Sequence, residues 1–172
     1  LLSLGIHASA ITVDGYFESA WNNPSTLNED PNEDTITDGY DIETNYYIWG
    51  AEDDGTNNMY FGLATYALMS DPETSGTPTT ADFAAVLLNT DNDASTGSDP
   101  YGVGGVGAEY YMQGSLDIAE GSAVAIPLYH WNGSSWELVG DYGYMARGDN
   151  DSNNDGQDDY TFVEFRLDAN YV

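Results

Sequence analysis

Thirty acidic residues are set against two basic ones, Arg147 and Arg166, and this imbalance restricts what the chain can fold into more than any motif does. A formal charge of −28 on 172 residues repels itself. A compact state therefore needs counterions, and a bound divalent cation cancels two charges where it sits. The same charge argues against nucleic acid and anionic membranes as partners, because both require a basic footprint. An acidic coat suited to a salty or acidic exterior explains the composition as well, and the two accounts are compatible. With 14 tyrosines the chain is far too aromatic for a disordered acidic tail. Its length suits one core. No window approaches the ~18 consecutive apolar residues of a membrane span. Cysteine is absent, so there are no disulfides or thiolate metal sites.

Oxygen donors concentrate in two loops. Residues 81–113 start with an apolar run, 83–88, that reads as a buried strand, and end in a tyrosine-rich strand at 109–112. Between them Asp91, Asp93 and Asp99 lie among Asn92, Ser95 and Thr96, with Gly97, Pro100 and Gly102 to turn the chain. Calcium takes six to eight oxygens of this kind, whereas the plain alternative is a solvated acidic loop. In the second loop, DNDSNNDGQDD, Asp151, Asn153, Asp155 and Asp159 match positions 1, 3, 5 and 9 of a calcium loop. Gly156 stands at the sharp bend, and Gln157 would offer its backbone carbonyl. Position 12 is Phe162 rather than glutamate, so the loop is no helical EF-hand. It resembles the shorter calcium loops of dockerins and thrombospondin-type repeats. A solvated acidic turn is again the alternative. A metal here would fix the register of the TFVEFRL strand that follows.

Strand signals fill much of the rest. Residues 44–51 and 59–68 flank an Asp54-Gly55 turn, and 123–129 and 136–139 flank an Asn132-Gly133 turn. The second hairpin brings Trp131 and Trp136 together, either as a platform for sugar rings or as a cross-strand aromatic pair. Residues 22–41 read as a long polar loop. At the start, LLSLGIHASA ends in an A-x-A pattern like that of a secretory signal, yet no basic region precedes it, so it is expected to belong to the mature chain. As a strand it puts Leu2, Leu4, Ile6, Ala8 and Ala10 on one face and spans roughly 33 Å. Such a ribbon can pair within its own chain or dock on the open edge of another copy.

LLNTDNDASTG followed by GGVGAEYYM resembles the strand, DTDN-x-x-TG, glycine-rich turn and GADY strand of secreted DOMON-like domains related to family 9 carbohydrate-binding modules. ITVDGYFESAW, YIWGAEDDGTNNMYFGLATY, LYHWNGSSWELV and FVEFRL follow the order of that family, over residues 11–168. Glu109 stands where the family more often has Asp. The resemblance implies an all-β fold, a jelly-roll-like antiparallel β-sandwich, often calcium-bearing, found outside cells or at their surface as a sugar-binding or surface module. On this basis residues 11–172 form the sandwich and residues 1–10 an added N-terminal strand.

No catalytic constellation stands out: there is no cysteine nucleophile, and neither histidine sits in a Ser/Asp framework. Two function classes follow. One is a secreted, calcium-bound structural subunit that assembles with other copies of itself through its first strand. The other is an extracellular module that binds polysaccharide through Trp131 and Trp136, with calcium as a structural clip.

Overall fold

The computed structural model describes residues 13–16, 26–29, 42–50, 57–65, 83–101, 107–151 and 160–172. The fold is all-β. Its strands are β1 (Thr26–Glu29), β2 (Ile42–Gly50), β3 (Asn58–Thr65), β4 (Phe83–Leu88), β5 (Tyr110–Ser115), β6 (Val124–Trp131), β7 (Trp136–Asn150) and β8 (Tyr160–Asp168). A 3-10 turn, Ala169–Tyr171, follows β8. Every neighbouring pair is antiparallel, and the hydrogen-bonded order is β1-β2-β3-β8-β7-β6-β5-β4. Two meanders, β1 to β3 and β4 to β7, are thus joined by the last strand. The hydrogen bonding of the described strands is that of one curled sheet and does not divide them into two layers. The added strand at residues 1–10 lies outside the described residues.

Curling lets one face of the sheet bury itself. Met112, Leu128, Met145, Phe165 and Leu167 are fully buried in one cluster. Met59, Phe61 and Leu63 of β3 and Ala84, Val86 and Leu88 of β4 pack against that cluster from the two sides. Gly114 in β5 is part of the fit: a Cβ there would fall 2.7 Å from Cε of Met145. Strand β8 is buried on both faces. Val163, Phe165 and Leu167 face the cluster, whereas Phe162 and Glu164 are equally inaccessible on the reverse side.

What covers the reverse side includes the turn at Asp14 and Gly15. Oε2 of Glu164 accepts hydrogen bonds from the backbone N–H groups of Asp14 (2.9 Å) and Gly15 (2.6 Å). Gly15 has φ +84 and crosses β7 so closely that a Cβ would lie 2.0 Å from the carbonyl carbon of Arg147, so glycine is required there. Two neutral donors thereby satisfy a buried carboxylate that would otherwise be costly.

The structure moves three sequence-derived boundaries. Strand β1 lies inside the expected polar loop 22–41, because backbone pairing with β2 suffices where side chains give no apolar signal. Strand β5 runs on to Ser115. Strand β7 runs through Asn150 rather than stopping near 139. Its glycines suggest a break, yet Gly143 packs against Ile126 and Gly148 against Gly15 at distances that exclude a side chain. The paired strands of both predicted hairpins, β2–β3 and β6–β7, are present.

Candidate functional site

In the described part of the connection from β4 to β5, short side chains bond their own backbone. Oδ1 of Asp91 accepts from the N–H of Asp93, and Oδ1 of Asp93 accepts from the N–H and hydroxyl of Ser95. The Ser95 hydroxyl first, and its N–H second, hold the Asp93 carboxyl below the usual range. Asn92 takes φ 59 and Gly97 φ 63, and Ser98 and Ala108 exchange backbone bonds of 2.8 and 2.9 Å. The loop is therefore closed on itself.

Glu109, just before β5, reaches back across this loop. Its Oε2 accepts from the N–H (2.6 Å) and hydroxyl (3.1 Å) of Thr90, just past β4. The Thr96 hydroxyl oxygen lies 2.8 Å from Oδ2 and 3.1 Å from Oδ1 of Asp91, 2.8 Å from the Asp93 carbonyl and 3.0 Å from Oε1 of Glu109. One hydroxyl carries one proton and can satisfy only one of these acceptors. Two carboxylates and a carbonyl thus converge on a single small group, a donor set whose chemistry suits a hard cation. Asp99 accepts from the N–H of Tyr101 through Oδ1. Among the described residues, no three or more His, Cys, Asp or Glu side chains form a metal-holding group by themselves. Of the sequence-derived residues, Asp91 through its carboxylate and Asp93 through its carbonyl meet at the Thr96 hydroxyl, together with Glu109.

In the second loop, Asn153, Asp155, Gln157 and Asp159 lie outside the described residues. Asp151 is described at its entrance and is half-buried. The strands that frame the loop pair up to Asn150 and Tyr160. Just inside, buried Asp149 accepts a 2.5 Å hydrogen bond from the Thr161 hydroxyl, and its own N–H donates to Oε1 of Glu120 at 3.3 Å. The mouth of the loop is locked by this cross-strand pair. Leu2, Leu4, Ile6, Ala8 and Ala10 also lie outside the described residues. The chain that follows them is fixed at Asp14 and Gly15.

Trp131 and Trp136 face each other across the β6–β7 turn, with ring centroids 5.4 Å apart and tilted by 56°. They end a longer aromatic strip. Tyr111 receives Trp136 edge-on at 4.8 Å and stacks on Tyr129 at 4.7 Å, and Tyr101 and Phe83 continue the strip towards β4. Strand alternation puts this strip on the face opposite the core, whereas His130 turns to the other side and meets Tyr110. Tyr101 donates to Oε1 of Gln113 at 2.8 Å, and burial first, then Tyr111 and Tyr129, push its phenol up to about 12. Period-two alternation could have found Tyr111 and Tyr129, but Tyr101 comes from a loop. Tyr111 and Tyr129 cover one face of each other, so part of the surface that a sugar ring would use is already occupied. Comparisons of the chain with protein-family models, with curated proteins and with solved structures yield no match.

Proposed function

We propose that the chain is a secreted, calcium-binding, non-catalytic structural subunit that assembles with copies of itself at the cell surface or outside the cell. In this proposal residues 1–10 of one copy add to the β4 edge of the next. The observation that carries it is β4 itself. Among the described residues FAAVLL is the last strand in the sheet order, has no charge, proline or glycine, and begins at Phe83, which is 46% exposed. An edge of that kind is a template for strand addition. The uncharged apolar ribbon LLSLGIHASA suits it and brings no carboxylate to a molecule that already repels its copies. Addition to the next copy is head-to-tail, and a rotation that does not close gives a filament.

Calcium enters the proposal at the tip of the same edge. Asp91, Glu109, the Asp93 carbonyl and the Thr96 hydroxyl would hold it between the end of β4 and the start of β5. Its chemistry there is charge neutralisation, which would let the two carboxylates stay together and brace the acceptor hairpin. The second loop, with Asp151, Asn153, Asp155, Gln157 and Asp159, is proposed as a further calcium site. Electron micrographs with and without a chelator test both parts. Fibres that form with calcium and fall apart on chelation support the proposal, and monomers indifferent to calcium reject it.

A second reading, a carbohydrate-binding module, is favoured by the aromatic strip that ends in Trp131 and Trp136. It ranks behind assembly because those rings pack on one another. Retention on insoluble polysaccharide that Trp131→Ala abolishes would reverse the ranking.

A further inference from the structure

The C-terminal turn ends on a tyrosine pair that neither assembly nor calcium uses. Tyr171 lies over Tyr142 of β7 with ring centroids 3.5 Å apart and planes 9° from parallel. That separation is about the van der Waals thickness of a ring. The charge of Tyr142 first, then its hydrogen bond, push the Tyr171 phenol up, with burial and Asp168 adding less. Stacked this closely and nearly parallel, the two phenol rings are within reach of each other for coupling. The pair is also held in place. Asp168 accepts from the Asn170 N–H at 3.0 Å, and the Ala169 N–H donates to the Asn57 carbonyl at 2.7 Å. Tyr142 packs against the core and against Gly140, where a Cβ would come within 2.7 Å of its ring. Tyr171 is 41% exposed, open to a diffusing oxidant.

We infer that Tyr142 and Tyr171 form a dityrosine cross-linking site, which staples the C-terminal turn to β7 in a chain without cysteine. Hydrogen peroxide, acting through a haem peroxidase, is the oxidant. Each phenol loses one electron and its O–H proton, and the two phenoxyl radicals join through one ortho carbon of each ring in a new C–C bond. Each ortho C–H proton then passes to its own ring's oxygen, restoring both phenols. In sum two tyrosines and one hydrogen peroxide give one dityrosine and two waters.

The test treats the full chain with a haem peroxidase and hydrogen peroxide and follows dityrosine fluorescence, intact mass and peptide mapping. Expected are a monomer lighter by two hydrogens, a cross-linked peptide containing Tyr142 and Tyr171, and loss of most of the fluorescence in Tyr171→Phe, which keeps the ring stack. Tyr111→Phe, in the other stacked tyrosine pair, should leave the fluorescence in place. Three results would overturn the inference: no mass change while free tyrosine couples in the same tube, a cross-link mapped to Tyr111 and Tyr129, or covalent dimers alone.

Discussion

Among the described residues, β1 contributes four residues, Thr-Leu-Asn-Glu, at one end of the sheet, and β4 contributes six, Phe-Ala-Ala-Val-Leu-Leu, at the other. The first edge is short, polar and charged, the features that keep proteins from pairing edge to edge. The second is longer and uncharged. It is also followed by the loop in which Asp91 and Glu109 converge. A chain with this much negative charge could have protected both ends with carboxylates. The proposed strand addition rests on the one that is left apolar, and six variants test the account.

Deletion of residues 1–10 has the largest effect: assembly is lost while circular dichroism and melting report a folded monomer. Assembly that survives the deletion removes the donor strand from the account. Next comes Ala85→Lys, which puts a charge on the β4 edge, on the face away from the core residues Ala84 and Val86. It raises the concentration needed for assembly by about tenfold, equivalent to roughly 1.4 kcal/mol, as followed by light scattering. Asn28→Lys on β1 leaves that concentration unchanged, and equal effects at the two edges would erase the distinction between them.

Glu109→Gln tests the calcium part. Removing one charged ligand should weaken calcium binding by about tenfold in titration calorimetry and lower the calcium-dependent gain in melting temperature. Unchanged binding moves the ion elsewhere. Thr161→Val removes the donor to buried Asp149 at the mouth of the second loop. It should cost about 0.5–3 kcal/mol in chemical denaturation, the range for losing one buried hydrogen bond.

The smallest effect is a pH dependence in the aromatic strip. The Tyr101 phenol is raised from 10.0 to about 12, so between those values the unfolded chain loses a proton that the folded chain keeps. Stability from this group is intact below pH 10.0 and declines as pH climbs to about 12. Tyr101→Phe should flatten that part of the melting profile, and an unchanged slope would show that the group does not contribute.

What could be read from the sequence follows from how local each signal is. Strand β4 was legible to the residue because its apolar run is bounded by polar neighbours, and the facing of Trp131 and Trp136 because Asn132-Gly133 sets a hairpin register. Strand β1 was not, since TLNE carries no apolar period and owes its state to pairing with β2. Asp91 and Asp93 could be chosen from spacing, but Glu109 joins them only through the fold of the hairpin. Glu164 is the clearest case of what stayed hidden: its partners, the N–H groups of Asp14 and Gly15, lie at the other end of the chain. In the alternating TFVEFRL pattern, that glutamate reads as solvent-facing.

Amide hydrogen exchange on assembled and unassembled protein tests the central claim most directly. The account predicts that protection rises on assembly within Phe83–Leu88 and stays unchanged within Thr26–Glu29. Protection that rises at β1 instead, or at neither edge, would contradict it.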